Sequence, residues 1–450
     1  MQASLPFLLL LGCDPAQPKV ETGTPLPADT ALDSATPDTA DSAPPADTAP
    51  PVETSPPCPT DEAGLLAAVE GDFVPASAEI SGTRDRCAAI LHATAGAAGS
   101  TLRVALTAWS GAEAPTLTWL GPTGLTWAAA APLAMGDGAT LTLPQSGELL
   151  LRLDPADVDA EADTYSLSVT CIANCELQFT RYPIVLMHGM GGSDGFLDVI
   201  DYFYEVPEAL ETAGYPVAVP VVDAFDTVAD RAAQWQANLD SLEALGVGRR
   251  FNLIAHSQGG LDARYLTGAL LDGRVASVIT VGSPHHGSAV ADAANGLLSS
   301  DPLVAEIVNL VAEAVGALVG LPGDDIAGQT ADLTTESMAA FNEAVPDVPG
   351  VYYASWAGHS CGALSFGCQD ETGGEVVDPL LAITEFLLYF EEGDNDGLVS
   401  TDSAVWGDYQ GEIPTDHLDE IGQIADEDNP VFDHVAFYLD EAARLASLGY

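Results

Sequence analysis

The chain has 450 residues, with 67 Asp and Glu against 12 Lys and Arg, which gives a formal net charge of −55. The length predicts two folded units joined by linkers. The charge excludes nucleic acid and anionic membrane surfaces as partners, because binding to either requires a basic surface. Hydrophobic residues make up 47% of the chain, which is enough to form a folded core. No uninterrupted apolar run reaches the roughly 18 residues that span a bilayer.

A short apolar run near the N-terminus, L-L-L-L-G-C, ends in Cys13. It resembles a bacterial lipoprotein signal, which implies that residues 1–12 are removed and that Cys13 is lipidated. No Lys or Arg precedes the run and Leu11 is bulky for its position, so an ordinary signal peptide or a misassigned start is the alternative. Both interpretations predict export, and the first predicts tethering to the cell surface or the outer membrane.

Residues 13–57 have the composition of a linker. Pro, Ala, Thr, Asp, Glu and Ser account for 37 of the 44 residues from Asp14 to Pro57. Such a segment cannot bury enough apolar surface to offset its chain entropy, and its prolines and like charges favour an extended stalk. We therefore expect a disordered spacer here.

Residues 58–177 show the two-residue periodicity of β-strands. Leu102, Val104 and Leu106 alternate with polar or small residues, and the same alternation runs from Tyr165 to Cys171. Many short strands separated by Gly, Pro and Asp turns predict an all-β sandwich. No constellation of titratable residues indicates chemistry in this segment, and its ligand or role stays open.

The pattern changes in residues 178–450. Continuous apolar runs, which are typical of strands buried on both faces, occur at Ile184–Met187, Val217–Val222, Phe251–Ala255 and Val278–Val281. Helical stretches such as 228–245 separate them. Alternating buried strands and helices predict a parallel sheet with helices on its faces. The expected fold is therefore α/β with a parallel-sheet core, preceded by the small all-β sandwich.

The strongest motif is Ala255-His256-Ser257-Gln258-Gly259, at the end of the apolar run that begins at Phe251. A serine on a turn between a strand and a helix needs small residues two positions before and after it, because the backbone there is strained. Ala255 and Gly259 meet this requirement, so Ser257 is the predicted nucleophile. An ordinary glycine-capped turn is the alternative.

A serine hydroxyl needs a base, and the base needs an acid that orients it; in this fold the acid precedes the histidine in the chain. His417 lies in a loop before helical residues, whereas His434 lies in an amphipathic stretch where a structural role is expected. Asp396 is the preferred acid because Gly397 allows a tight turn directly after it, and Asp394 is the second candidate. A solvated acidic loop is the alternative for both aspartates.

Two backbone amides are expected to bind the negative charge that develops on a substrate oxygen. One is the N–H of Gln258, directly after the nucleophile. The other is the N–H of Met190 in H-G-M-G-G, which follows the strand ending at Met187. A phosphate-binding glycine loop is the competing interpretation, but no Lys lies nearby to neutralise a phosphate.

Five motifs occur in one order, namely Y-P-I-V-L-M-H-G-M-G-G, A-H-S-Q-G-G, G-S-P-H-H-G-S, N-D-G-L-V-S and H-L-D-E-I. Together they resemble the calcium-binding bacterial triacylglycerol lipases of the pseudomonad type, from Tyr182 to the C-terminus. The resemblance implies an α/β-hydrolase fold, an extracellular serine esterase, and a triad of Ser257, Asp396 and His417. His286 stands where the family more often has a cation. Whether a dedicated folding chaperone is a partner stays open.

The same resemblance implies one structural calcium ion, bound by the carboxylates of Asp378 and Asp419 and the backbone carbonyls of Gln423 and Glu427. Oxygen ligands suit a hard cation such as calcium. Because Asp419 lies two residues from His417, the ion would fix the loop that carries the histidine. A helix cap at Asp419 is the alternative.

The seven cysteines leave Cys13 for lipidation and six for three disulfides, which indicates an oxidising compartment. Cys361 and Cys368 are expected to pair, since only six residues separate them and no other cysteine lies in residues 178–450. The other four would pair within the sandwich in one of three connectivities: Cys58, Cys87, Cys171 and Cys175.

Residues 303–321 are apolar or small apart from a narrow stripe formed by Glu306, Asn309 and Glu313. The helical spacing of this stripe predicts an amphipathic helix. Its position in the lipase family favours a mobile lid over the active site, and a buried core helix is the alternative.

We therefore expect a secreted or surface-tethered serine lipase or carboxylesterase that hydrolyses acylglycerol esters at an interface through an acyl-enzyme. A phospholipase, a short-chain esterase or a polyester depolymerase would use the same triad. A surface binding protein with an inactive hydrolase domain is an alternative of another class. The complete set of Ser257, Asp396 and His417 counts against that alternative.

Overall fold

The computed structural model describes residues 78–85, 90–154, 162–192, 202–296, 326–362, 376–423 and 432–450. Several predictions lie outside these residues: the signal, the stalk, lipidation at Cys13, the lid at 303–321, and the roles of Cys58, Cys87, Cys368 and Glu427. Among the helices of the described residues, none is long and apolar enough to cross a membrane.

The N-terminal part of the described chain is a β-sandwich. Its strands are β1 (Ala78–Asp85), β2 (Ile90–Gly96), β3 (Thr101–Trp109), β4 (Thr116–Leu120), β5 (Thr126–Pro132), β6 (Gly138–Thr142), β7 (Gly147–Asp154) and β8 (Ala162–Ala173). They form two four-stranded antiparallel sheets, ordered β1-β8-β3-β6 and β2-β7-β4-β5. Alternate side chains of a β-strand point to the same face, so the inward ones of both sheets form one core. This core includes Leu102, Trp119, Leu151 and Leu167. The predicted all-β sandwich is confirmed.

The second part contains a parallel sheet. Its strands are β9 (Ile184–Met187), β10 (Val217–Ala218), β11 (Phe251–His256), β12 (Val275–Val281), β13 (Tyr352–Gly358) and β14 (Asp408–Ile413). Their order is β10-β9-β11-β12-β13-β14, and each neighbouring pair is parallel. Every residue of β9, β11 and β12 is buried, as their continuous apolar runs predict. The expected α/β fold with a parallel-sheet core is confirmed.

Helices cover both faces of this sheet. They are α1 (Val206–Ala213), α2 (Val228–Ala244), α3 (Gln258–Gly268), α4 (Ala289–Ala294), α5 (Ile326–Asp332), α6 (Thr335–Ala344), α7 (Ala382–Glu391), α8 (Thr401–Ala404) and α9 (His434–Leu448), with a 3₁₀ turn at Asp419–Ile421. Leu253 of β11 packs in one core with Trp235 of α2, whereas the next residue, Ile254, packs in another with Leu210 of α1 and Tyr438 of α9. Neighbouring strand residues therefore face opposite helical layers.

One strand is shorter than its sequence predicts. The apolar run Val217–Val222 gives only the two-residue strand Val217–Ala218, at the edge of the sheet. Pro220 interrupts the run, and proline has no N–H to donate to a neighbouring strand. The predicted strand over Val217–Val222 is therefore too long, because hydropathy does not show that Pro220 lacks an N–H.

Two disulfides involve described cysteines. Cys171 pairs with Cys175, which is one of the three connectivities left open by the sequence. Cys361 is also disulfide-bonded. The pairing of Cys361 with Cys368 stays a prediction, since Cys368 lies outside the described residues.

Candidate active site

Ser257 lies on a sharp turn between β11 and α3. Its backbone has φ 55° and ψ −131°, and residues other than glycine rarely adopt such a positive φ. Gly259 is required on the far side of the turn, because a Cβ atom there would lie 2.6 Å from the carbonyl oxygen of Met187. Ala255 is completely buried on the near side. The predicted elbow is thus present, with the small residues where crowding demands them.

The structure brings Ser257, His417 and Asp396 together. The Nε2 atom of His417 lies 2.9 Å from the Oγ of Ser257, and its Nδ1 lies 2.8 Å from Oδ2 of Asp396. Because a carboxylate only accepts, Nδ1 carries the ring hydrogen and Nε2 accepts from the serine hydroxyl. Asp396 is completely buried and His417 nearly so. These contacts have the geometry of a Ser-His-Asp triad.

The acid is held by the turn that follows it. Oδ1 of Asp396 accepts the backbone N–H groups of Leu398 and Val399 at 2.8 and 2.7 Å. Gly397, with φ 99°, makes this turn possible, as its place in the sequence suggests. Asp394, the second candidate, has a side chain that is 62% exposed and contacts His359 at 3.9 Å. The structure therefore puts Asp396, and not Asp394, against His417.

The H-G-M-G-G loop passes directly against the nucleophile. A Cβ atom on Gly189 would lie 2.7 Å from Cβ of Ser257. Met190 is the next residue of this loop, and Gln258 follows Ser257 at the first position of α3. The two predicted oxyanion donors are thus carried by segments that meet at Ser257, and their function stays a prediction.

Sequence reasoning missed Arg231, which holds this loop. Arg231 is completely buried; its guanidinium donates to the carbonyl of His188 at 2.6 Å and to that of Gly189 at 3.3 Å. Its Nε donates to Asp262 at 2.8 Å, and Trp235 donates to the same carboxylate oxygen. Since Asp262 belongs to α3, Arg231 connects the loop after β9 to the helix that begins at the nucleophile.

Burial is the main cause of the pKa shifts of two groups beside Arg231, namely Asp262 and His188. It raises the pKa of Asp262 to about 6, and the neighbouring Arg231 opposes the rise. Burial likewise lowers the pKa of His188 to about 3, with the charge of Arg231 adding to the effect. His188 is therefore neutral at pH 7, and its Nε2 accepts the N–H of Val222 at 3.1 Å.

A second missed feature is a buried hydrogen-bonded chain beneath the site. The N–H of Gly189 donates to the hydroxyl of Tyr202 at 2.9 Å, and this hydroxyl lies 2.7 Å from Nδ1 of His256. Nε2 of His256 lies 2.8 Å from Glu420. Because burial lowers the pKa of His256 well below its usual value, the ring is neutral and accepts from Tyr202 while donating to Glu420.

Glu420 lies beside the acid of the triad. Burial, together with the charges of Asp396 and Asp416, raises the pKa of Glu420 well above its usual value. This shift favours the neutral form of Glu420, which then adds less negative charge beside Asp396. Ligand atoms of His256, His417 and Glu420 lie within 4.8 Å of one another. Their hydrogen bonds already account for this grouping.

Three of the four predicted calcium ligands lie within the described residues, namely Asp378, Asp419 and Gln423. The backbone N–H groups of Asp378 and Asp419 donate to the two oxygens of one carboxylate, that of Asp416, at 2.7 and 3.0 Å. Asp416 is completely buried. The backbones of Asp378 and Asp419 are thus held by one buried acid, and Oδ1 of Asp378 accepts the N–H of Leu380 at 2.7 Å. Carboxylate oxygens are a donor type that fits a hard cation, and the calcium site stays a prediction. The N–H of Gln423 bonds back to Leu418 and closes the loop after His417.

Three further histidines, His285, His286 and His434, contact neighbouring groups. His285 is completely buried, and its two ring nitrogens contact Arg264 and Thr280 at 3.2 and 2.9 Å. The ring of His286 lies 5.9 Å from that of Trp406. His434 is the first residue of α9, and its Nε2 lies 3.0 Å from the carbonyl oxygen of Tyr204.

A family model and several known proteins are similar to this chain. The family model described as palmitoyl protein thioesterase matches residues 183–316. A triacylglycerol lipase of Burkholderia plantarii is 31% identical over an alignment of 329 residues, and the match covers 64% of this chain and 88% of the relative. A triacylglycerol lipase of Vibrio cholerae is 34% identical over 60% of this chain and 89% of its own length.

A third relative and one solved structure extend the comparison. A triacylglycerol lipase of Pseudomonas fragi is 32% identical over 60% of this chain and 98% of its own length. The crystal structure of a Staphylococcus hyicus lipase is 19% identical and covers 62% of this chain and 98% of that chain, with a TM-score of 0.45. On the sequence relatives, this chain belongs to the triacylglycerol lipase family of carboxylic-ester hydrolases.

Proposed function

We propose that the protein hydrolyses acylglycerol esters through an acyl-enzyme on Ser257. The observation that carries the proposal is the pair of hydrogen bonds of His417, 2.9 Å to Ser257 and 2.8 Å to Asp396. His417 takes the serine proton through Nε2 as the hydroxyl oxygen attacks the ester carbonyl, and Asp396 stabilises the resulting imidazolium. The amides of Met190 and Gln258 bind the oxyanion. His417 then protonates the leaving alcohol, and water releases the acid by the same steps.

The substrate series that tests this proposal consists of glycerol esters of rising acyl length. A lipase is expected to hydrolyse long-chain triacylglycerols, and Ser257→Ala is the control for contaminating activity. Hydrolysis confined to short soluble esters would make the protein an esterase, and preference for a phosphoglyceride would make it a phospholipase. A purified protein that cleaves no ester would contradict the proposal.

An exposed apolar surface beside the acid loop supports a water-insoluble substrate. We call it the α7 surface, and its members are between 40% and 69% exposed: Val376, Leu380, Ile383, Tyr389 and Phe390. The ring centroids of Phe386 and Phe390 lie 4.7 Å apart. The side-chain amide of Asn395, next to Asp396, donates to the carbonyl of Glu385 in α7. Exposed apolar patches of this kind mark contact surfaces, here one suited to an uncharged ester phase.

Phe390→Ser is expected to lower the rate on emulsified triacylglycerol about 3- to 10-fold, because it removes apolar contact with the ester phase. The rate on a soluble ester, measured below its solubility limit, should stay within twofold. Leu245→Ser is the matched control, since Leu245 is 70% exposed outside this surface. Equal effects of Phe390→Ser on both substrates would refute a role in contacting the interface.

We also propose that the protein is exported and tethered through lipidated Cys13. The motif L-L-L-L-G-C supports lipidation. The disulfides at Cys171, Cys175 and Cys361 support an oxidising compartment, because such bonds persist outside the reducing cytosol. Labelling with a radioactive fatty acid, with Cys13→Ser as the control, tests the anchor.

We propose that Asp378 and Asp419, with the carbonyls of Gln423 and Glu427, hold a structural calcium ion. The ion would supply charge neutralisation and fix the loop that carries His417. Excess chelator is expected to lower the melting temperature by several degrees, since a ligand present at 100 times its Kd stabilises the native state by about 2.7 kcal/mol. Calcium, but not magnesium, should restore the melting temperature.

Asp378→Asn and Asp419→Asn provide the control for the calcium experiment. Each variant should melt lower than the wild type and should respond less to chelator, because one charged ligand is missing. A wild-type melting temperature that is the same with chelator and with calcium would exclude the site.

A further inference from the structure

One turn of the β-sandwich contacts the hydrolase domain with four consecutive residues, 145–148. The side-chain amide of Gln145 donates to the carbonyl of Gly246 at 3.4 Å, and the hydroxyl of Ser146 donates to the carbonyl of Gly214 at 2.7 Å. Gly147, with φ 108°, turns the chain past Arg181. These four residues are the end of the connection from β6 and the first two residues of β7; we call them the 145–148 turn.

Glu148, the last residue of this turn, lies between two arginines of the hydrolase domain. One carboxylate oxygen is 3.2 Å from Arg181 and the other is 3.3 Å from Arg249. Glu148 is only 5% exposed, so its charge has little access to water and depends on the two guanidinium groups. Arg181 and Arg250 also lie over the ring of Tyr182, at 4.9 and 5.2 Å from its centroid.

The charge balance of the chain makes this contact selective. The whole sequence has 12 Lys and Arg against 67 Asp and Glu. Two of those 12 cations, Arg181 and Arg249, contact Glu148. A third, Arg250, lies over the same Tyr182 ring as Arg181. Elsewhere an acidic surface would repel a carboxylate, so the 145–148 turn has few other places to bind.

The hydrolase groups that receive this turn all lie at one edge of the parallel sheet. Arg181 precedes β9, Gly214 precedes β10, and Gly246 and Arg249 precede β11. By contrast, Ser257 follows the end of β11. Because parallel strands run in one direction, the turn docks at the amino-terminal edge and the candidate active site lies at the carboxyl-terminal edge. The six residues of β11 separate the two edges by about 20 Å.

We propose that the β-sandwich is a fixed support for the hydrolase domain rather than a substrate-delivery module. The 145–148 turn joins it to the amino-terminal edge of the sheet, so the two parts unfold as one cooperative unit. The candidate active site lies at the opposite edge, away from this contact. The described residues indeed belong to one compact unit. This inference does not rest on the proposed function, because its main readout is unfolding.

Calorimetry on the full-length protein tests the inference, with Glu148→Gln as the main variant. The wild type is expected to unfold in one transition. Glu148→Gln should lower the melting temperature by about 5 °C or more and broaden or split the transition, because two arginines lose their buried partner. The rate on a soluble short-chain ester at 25 °C should stay within twofold of the wild type. Glu113→Gln, the same charge change at an exposed acid of the sandwich, should leave the melting temperature unchanged.

Three results would overturn the inference. These are two separate transitions in the wild type, equal melting temperatures for Glu148→Gln and Glu113→Gln, and loss of the soluble-ester rate in folded Glu148→Gln. Should Glu148→Gln fail to fold, Arg249→Gln replaces it. That variant removes one of the two arginines that contact Glu148 and should lower the melting temperature by a smaller amount with the rate preserved; no shift in Arg249→Gln would then count against the inference.

Discussion

Ser257→Ala is expected to lower the rate of ester hydrolysis by about four to six orders of magnitude, as removal of a serine nucleophile does in other triads. The side chain is small and half-buried, so the variant should melt within a few degrees of the wild type. His417→Ala should lose nearly as much activity, and the double variant should lose little more, because the residues act as one unit. A Ser257→Ala protein that keeps most of its activity would show that another nucleophile operates.

The acid is tested by a matched pair of variants. Asp396→Asn removes the charge that faces His417 at 2.8 Å and should lower the rate by orders of magnitude. Asp394→Asn makes the same chemical change two residues away, on a side chain that is 62% exposed, and should leave the rate within twofold. The opposite ranking of the two variants would assign the acid to Asp394.

The features that the sequence predicts are those that local chain geometry determines. Ser257 is recognisable because a strained turn tolerates only small neighbours, which Ala255 and Gly259 provide. Asp396 could be preferred over Asp394 because glycine alone adopts the left-handed turn at position 397 without strain. The sandwich and the sheet follow from periods of two and from continuous apolar runs, which reflect burial on one or both faces.

The features that the sequence does not reveal depend on residues far apart in the chain. Arg231 contacts the loop after β9, which lies 42 and 43 positions earlier, and His256 contacts Glu420, which lies 164 positions later. No spacing rule connects such residues, since only the packed sheet brings them together. The one available signal is position on the helix: Arg231 lies on the buried face of the amphipathic helix α2, with Trp235 and Leu239, and an arginine there needs a buried acidic partner.

Arg231→Met is expected to reduce both stability and catalysis strongly. Removing one partner of a buried ion pair costs about 3–5 kcal/mol, and Asp262 would lose the guanidinium that opposes the rise of its pKa. The carbonyls of His188 and Gly189 would lose their donor as well. Movement of this loop away from Ser257 should misplace the amide of Met190 and lower kcat by about 100-fold, as loss of an oxyanion donor does.

Two further variants separate the stability effect from the effect on the loop. Arg231→Met combined with Asp262→Asn removes the unpaired acid, so it should recover part of the melting temperature but none of kcat. Arg152→Met makes the same change in a partly exposed ion pair of the sandwich, where the arginine is 35% exposed and pairs with Asp154; it should cost about 1 kcal/mol or less and leave kcat unchanged. If the double variant regained wild-type kcat, the role of Arg231 would be confined to balancing Asp262. If kcat stays low while the melting temperature recovers, Arg231 supports the reaction through its two hydrogen bonds to the loop after β9.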